Sequence, residues 1–316
     1  MKIAVVTGCL GFFGVNLTKR LLNKGWKVYG VDKESYVSHK PMVHPNFTFK
    51  KAKIENLTFL PECDIVFNLA AESHVDNGNR DCKEFVDSNV HGVRNLLELL
   101  NSRILTSVDK PLFIQFSTDE VYGDREEGFF NEESPLDPSN PYAATKASAD
   151  LLIKSWARTH GLDYIIVRPS NNYGEYQYPE KLIPIAVKRL MRGKKIKLHD
   201  GGTPIRTWTH IQDTIDAVML LVDKGEPCNI YNISSEYEQT NLETTKKIIS
   251  SYFLGTITRT VESWMDHIDT NYKRPGQDVR YALHCNYLNQ YGWQPKRTFD
   301  TEIVPLVKHF KQNFRW

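Results

Sequence analysis

Short, almost wholly apolar runs alternate with stretches of helical period along the first half of the chain. The runs are Ile3–Thr7, Lys27–Asp32, Ile65–Leu69, Leu112–Ser117 and Tyr164–Pro169. Between them, helical spacing of apolar positions covers Val15–Lys24, Phe85–Asn101 and Ala143–Thr159. A strand that is apolar throughout must be buried on both faces, which is the condition of a parallel sheet covered by helices. The alternation therefore predicts an α/β fold built on a doubly wound parallel sheet. After Pro169 the pattern loosens, with Pro179, Pro184, Gly193, Gly201, Gly202 and Pro204 punctuating it. Helices still read at Leu182–Arg192, Ile211–Val222 and Leu242–Phe253. This half predicts a smaller mixed α/β domain that completes a cleft. The expected division is residues 1–170, with a segment near 206–231 returning to that first unit, and 171–316.

Composition narrows the function classes. The 316 residues are 41% apolar and 25% charged, with a formal charge of +2. So small a charge gives no strong pull toward nucleic acid or anionic lipid. The opening apolar run stops at Thr7-Gly8, too short for a secretory core, and no run approaches a membrane span. Cys9, Cys63, Cys82, Cys228 and Cys285 form no CxxC pair and suggest no metal site. They read as reduced thiols in a cytoplasmic protein. His74 and His91 have no second ligand at useful spacing and read as structural rather than metal-binding. The basic stretch Lys188–Lys197 reads as a solvated face, with an anionic substrate as the alternative.

Thr7-Gly8-Cys9-Leu10-Gly11-Phe12-Phe13-Gly14 follows the first strand and opens a helix. Glycines at this GxxGxxG spacing permit a tight turn and close approach to a pyrophosphate at the positive end of the helix. A ligand-free βα turn would use the same glycines. Asp32 separates the readings, because it ends the next strand, where a carboxylate accepts from ribose hydroxyls and repels a ribose phosphate. The prediction is a Rossmann-type domain that binds NAD in preference to NADP.

Two further segments carry candidate chemistry. Tyr142 and Lys146 stand four apart at the start of a helix and share one face. A free tyrosine titrates at about 10 and is a poor base near neutrality. A neighbouring ammonium and a positive nicotinamide would favour its phenolate. Ser117-Thr118-Asp119-Glu120 lies at the carboxyl end of a strand, where α/β sites form. The alternative there is a helix N-terminus capped by Thr118, with the acids favouring the dipole.

The loop Gly11-Phe12-Phe13-Gly14 and the later Tyr142–Lys146 pair resemble the extended short-chain dehydrogenase/reductase family. Within it, Phe116–Gly123 is similar to the active-site segment of nucleotide-sugar 4,6-dehydratases. Asn68–Asp76, Ser170–Gly174, Pro179–Pro184, Asp200-Gly201-Gly202 with Arg206, Thr240-Asn241-Leu242 and Arg274–Tyr281 are similar to other segments of those enzymes. The resemblance implies a cofactor set of Gly8, Gly11, Phe12, Phe13, Gly14, Asp32, Lys33, Leu69, Ala70, Ala71, Ser73, Ser88, Tyr142, Lys146 and Asn172. It implies substrate contacts from Thr118, Asn171, Lys181, Leu182, Arg206, Asn241, Arg274, Gln277 and Arg280, with Arg206 and Arg280 on the sugar diphosphate. It also implies a cycle on dTDP-glucose or UDP-glucose. Tyr142 deprotonates the C4 hydroxyl while NAD oxidises C4, with Thr118 bonding the same oxygen. Glu120 then removes the C5 proton, now α to a ketone, and protonated Asp119 releases the C6 hydroxyl as water. Return of the hydride to C6 gives a 4-keto-6-deoxy sugar, with no net oxidation.

Departures from that pattern are Lys53-Ile54, where an acid usually faces the adenine, Asn77-Gly78, and His199, Thr207 and Gln277, the last three of which leave thymine against uracil open. Three rivals remain. A 4-epimerase would need Thr118 and Tyr142 without the acid pair, a decarboxylating relative keeps the glutamate but lacks the aspartate, and a non-catalytic NAD-binding protein needs neither acid. Asp119 discriminates among them. Apolar helices at Val90–Leu100 and Leu151–Trp156 match the helices that relatives pair across a dimer, so a homodimer is expected.

Overall fold

The computed structural model describes residues 1–73, 78, 81–104, 110–254, 264–273 and 278–313, with the side chains of 102–104 excepted. Among these, the first half forms β1 (Ile3–Thr7), α1 (Phe12–Asn23), β2 (Lys27–Asp32), β3 (Phe47–Lys51), β4 (Ile65–Asn68), α2 (Lys83–Val86), α3 (Gly92–Ile104), β5 (Leu112–Phe116), α4 (Pro141–His160) and β6 (Tyr164–Pro169). The second half adds β7 (Asn171–Tyr173), α5 (Leu182–Met191), β8 (Ile196–His199), β9 (Ile205–His210), α6 (Ile211–Lys224), β10 (Asn229–Ile233), β11 (Glu238–Thr240), α7 (Asn241–Phe253), β12 (Ile268–Tyr272), α8 (Asn286–Gln290) and α9 (Phe299–Gln312).

Seven strands form one parallel sheet in the order β10-β6-β5-β4-β1-β2-β3. The period of two along each strand divides the core between its faces. Val6, Phe67, Ile114 and Ile165 meet Leu17 and Leu21 of α1 and Ile215 and Val218 of α6. Val5, Val66, Phe113 and Ile166 meet Val93, Leu96 and Leu97 of α3 and Ile153 of α4. Both faces are covered, which is why the strand sequences are apolar without alternation. This is the Rossmann-type doubly wound sheet expected from the sequence.

β10 pairs with β6 in register Ile230 to Ile166, so a strand from the second half forms the edge of the main sheet. The rest of that half builds smaller sheets, β11-β9-β7 and β12-β8. In the first of these β11 runs antiparallel and β7 parallel to β9. Tyr173, Trp208, Ile248, Phe299 and Ile303 fill its core. Among the described residues, no helix is long and apolar enough to cross a membrane.

The helix read over Phe85–Asn101 is interrupted. A π turn at Asp87–His91 separates α2 from α3. The wider turn places Asn89 fully inward, where it bonds Glu72 and Thr145. The apolar spacing on either side carries no mark of it.

Candidate active site

Strand order reverses between β1 and β4, and the loops leaving their carboxyl ends part there to open a crevice. Behind it runs a buried polar row. Thr7 Oγ1 donates to Asn68 Oδ1 at 2.6 Å, and Asn68 Nδ2 donates to Gln115 Oε1 at 2.8 Å. Thr7 Oγ1 also accepts from the Ala70 N–H. The row ties the ends of β1, β4 and β5 into one floor.

The glycine loop forms one wall. Gly8 has φ +65°, and a Cβ there would meet the Ala70 nitrogen at 2.8 Å. A Cβ on Gly14 would collide with the Gly8 carbonyl oxygen. These two glycines let α1 start against the loop with its N-terminus facing the crevice. Asp32 sits at the end of β2. Its Oδ2 accepts from the Leu10 N–H at 3.0 Å, and its Oδ1 accepts from the Glu34 N–H and Ser38 Oγ.

The crevice continues as two adjoining clefts of about 860 and 1240 Å³. The smaller holds Gly8, Gly11, Asp32, Lys33, Leu69, Ala70, Ala71, Ser73 and Ser88. The larger holds Phe12, Phe13, Gly14, Thr118, Asp119, Glu120, Tyr142, Lys146, Asn171, Asn172 and Lys181, and shares the glycine loop. The residues expected at a cofactor thus line one continuous groove with the candidate catalytic group at its deep end. Lys33 is ion-paired to Glu72 and, at 3.4 Å, to Glu84.

β5 ends at Phe116 and delivers Thr118, Asp119 and Glu120 on a tight 3₁₀ turn. Thr118 caps that turn, its Oγ1 accepting from the Glu120 N–H at 3.3 Å and donating to Asp119 Oδ1 at 3.1 Å. The cap expected as an alternative to a chemical role is present. Asp119 is 3% exposed, and its Oδ2 has no hydrogen-bond partner. Burial, then the Glu120 charge, pushes its pKa up to about 7. Burial also raises Glu120, but the Asn140 amide at 3.2 Å and the charges of Lys181 and Arg206 oppose the rise.

Tyr142 and Lys146 occupy successive turns of α4. Asn140 caps the helix through the Ala143 N–H at 3.0 Å, with Pro141 behind it. Lys146 is buried, and its Nζ donates to the Phe116 carbonyl at 2.5 Å. Burial brings its pKa down to about 8, against the raising influence of Asp150. Burial and then the Glu120 charge hold the Tyr142 phenol well above the ordinary tyrosine range, with the Thr118 hydroxyl opposing.

The expected substrate contacts separate into groups. Thr118, Asn171 and Lys181 reach the larger cleft, and Lys181 Nζ donates to the Ser73 carbonyl at 3.2 Å. Arg206 lies over the Tyr281 ring and donates to the Ile205, Asp278 and Val279 carbonyls, while its charge is felt at both acids. Leu182 packs in the second core, and Asn241 opens α7. Arg280 Nε and Nη2 each donate to a Glu238 oxygen at 2.8 Å, and its Nη1 donates to the Glu126 and Gly128 carbonyls. That guanidinium braces β11 to the loop before Phe130. Arg274 and Gln277, like His74 and Asp76, lie outside the described residues. Within the basic stretch Arg192, Lys194, Lys195 and Lys197 are exposed and Lys188 and Arg189 half-buried, and none of the six lines either cleft.

Asn89 and Asn140 were not anticipated. Asn140 had a readable signal, an Asn directly before a Pro at a helix start. Asn89 had none, since its role depends on the π turn.

A family model described as GDP-mannose 4,6 dehydratase matches residues 5–304. The dTDP-glucose 4,6-dehydratase of Haemophilus influenzae is 36% identical, with 99% of each chain covered. The low-salt glycan biosynthesis protein Agl12 of Haloferax volcanii is 35% identical, with 97% of each covered. Among solved structures, the dTDP-glucose 4,6-dehydratase DesIV of Streptomyces venezuelae, with NAD and TYD bound, superposes with a TM-score of 0.89 at 31% identity, covering 98% of this chain and 97% of that one.

Proposed function

The chain belongs to the GDP-mannose 4,6-dehydratase family, and from that premise we propose that it removes water from a nucleotide-diphosphate hexose to give the 4-keto-6-deoxy sugar. It is an NAD-dependent 4,6-dehydratase. The observation that carries the dehydration is Asp119. A buried carboxyl with a pKa near 7 and one oxygen unpartnered is a proton donor, set beside a second acid and next to the oxidation pair.

The groove fits the cofactor. It has the glycine cradle, the helix N-terminus for a pyrophosphate, and Asp32 for the ribose hydroxyls. NAD, when bound, supplies the two-electron acceptor and donor and a positive ring beside the phenol. The protein's residues do the rest. Tyr142, assisted by the Lys146 ammonium, takes the C4 hydroxyl proton, and Thr118 bonds that oxygen. Glu120, whose burial-driven rise Asn140, Lys181 and Arg206 oppose, removes the C5 proton. Asp119 gives its proton to the departing C6 hydroxyl. The cycle needs opposite protonation states in adjacent acids, and the Asn140 amide and Lys181 charge at Glu120 favour that split.

On the substrate side we assign Asn171, Lys181, Leu182, Arg206 and Asn241 to the sugar nucleotide, with Arg280 acting as a brace. Residues 1–170 with the returning α6 and β10 form the dinucleotide unit, and the remainder forms the substrate unit. A homodimer through α3 and α4 is supported by Leu151, which is 57% exposed on α4. The described thiols are all free, in keeping with a cytoplasmic setting.

The test is direct. Purified protein is incubated separately with dTDP-glucose and UDP-glucose without added NAD, and products are read by mass. Loss of one water from either sugar is the expected result. Intact substrate in both incubations would sink the reading.

A further inference from the structure

Tyr142, Lys146 and Asp150 follow one another at intervals of four along α4, so phenol, ammonium and carboxylate stack on one helix face. The first two are used by the reaction. The third is fully buried, which for a carboxylate demands compensation. Three donors converge on its Oδ2. Ser117 Oγ lies at 2.9 Å, Arg168 Nε at 3.1 Å and Arg168 Nη2 at 2.9 Å. Oδ1 is buried without a hydrogen-bond partner. Arg168 is in turn held by the Tyr122 hydroxyl at 2.9 Å, and Tyr122 by Asn232 at 2.8 Å.

A buried Asp–Arg pair is a weak source of stability on its own. This one differs because a second buried cation, Lys146, sits one helical turn away. We propose that Asp150 is the positioning residue of the oxidation step: anchored by Ser117 and Arg168, its carboxylate keeps the buried Lys146 ammonium charged beside Tyr142. The proposal rests on reading Tyr142 and Lys146 as the oxidation pair.

The other groups around Lys146 do not do this work. On its own helix stand Tyr142 and Asp150. From β5 come the Phe116 carbonyl and Ser117, with Asp119 and Glu120 on the turn beyond, and from β6 comes Arg168. Burial lowers Lys146, and Asp150 is the charge that opposes it. Arg168 favours the charged form of Asp150, opposing the rise that burial imposes on it.

The directions follow. Asp150→Asn removes the opposing charge, so Lys146 loses its proton at lower pH. Arg168→Gln removes the cation that opposes the burial-driven rise of Asp150, so the carboxyl moves toward its neutral form and Lys146 loses its proton at lower pH. Lys146 is titrated in each variant by trace acetic anhydride labelling across pH, read by mass spectrometry at that lysine without reference to turnover. The pH profile of kcat/KM for sugar-nucleotide dehydration is measured alongside.

In Asp150→Asn the labelling midpoint and the alkaline limb fall together by about one pH unit, a tenfold loss at alkaline pH with little change below neutrality. In Arg168→Gln both also move downward. Midpoints equal to wild type, with activity reduced alike at every pH, would overturn the proposal and leave Asp150 a structural anchor. If Asp150→Asn does not fold, the downward shift in Arg168→Gln decides alone. Wild-type enzyme that dehydrates no sugar nucleotide refutes the function and leaves the labelling result to judge Asp150.

Discussion

Asp119 and Glu120 are neighbours whose surroundings separate them. Asp119 has a single side-chain donor, Thr118, while Glu120 has the Asn140 amide and feels Lys181 and Arg206. Replacing Asp119 by Asn removes the transferable proton. Water loss is expected to slow by about 100- to 1,000-fold, while C4 oxidation persists, seen as accumulating reduced-cofactor absorbance. Equal loss of both steps would refute the role. The same substitution has a stability signature. The folded pKa of Asp119 is raised above its unfolded value, so its contribution is intact at low pH and lost as pH rises through about 7. Asp119→Asn should therefore raise Tm above pH 7 relative to wild type and leave the difference small below about pH 4, as thermal melts at the two extremes would show.

Two junctions between elements hold the site. At the β1–α1 junction, Gly14→Ala drives a Cβ into backbone rather than a movable side chain. A cost of about 1–3 kcal/mol is expected, with NAD lost during gel filtration; a variant that keeps wild-type Tm and bound NAD would contradict the cradle. At the start of α4, Asn140 serves the helix cap and Glu120 together. Asn140→Asp keeps the cap but replaces a donor with a like charge. Stability should hold, while Glu120 is pushed up and the acid limb of kcat/KM moves to higher pH. Asn140→Ala instead loses about 0.5–2 kcal/mol of helix capping. Denaturant melts and pH profiles of the two variants separate these effects.

At the scale of the whole molecule, the site exists because two halves of the chain share one sheet. β10 from the second half pairs with β6, and the loop after β7 brings Lys181 over the cleft. Tyr36 on the loop after β2 donates to Glu180 at 2.9 Å, which closes the groove from its far side. The exposed face of α4 sits behind the catalytic helix turn. Leu151→Arg should convert a dimer to monomer in sedimentation velocity at micromolar protein, because a buried unpaired charge there has no compensation. A stable wild-type monomer would remove the assembly altogether.

Local chemistry was legible where one segment carries the whole requirement. The five apolar strands, the glycine loop with Asp32, the Tyr142–Lys146 spacing and the Thr118–Glu120 turn depend on residues close in sequence, so their pattern states their structure. What only the tertiary structure decided depends on partners far apart. The π turn that aims Asn89, the pairing of β10 with β6, the capture of Arg280 by Glu238 and the buried Ser117–Asp150–Arg168 group each join residues from separate elements. Burial behaves the same way. The sequence places two acids side by side, but only the fold buries Asp119 with one oxygen unpartnered and brings Asn140 to Glu120, and the proposed donor and base roles rest on that difference.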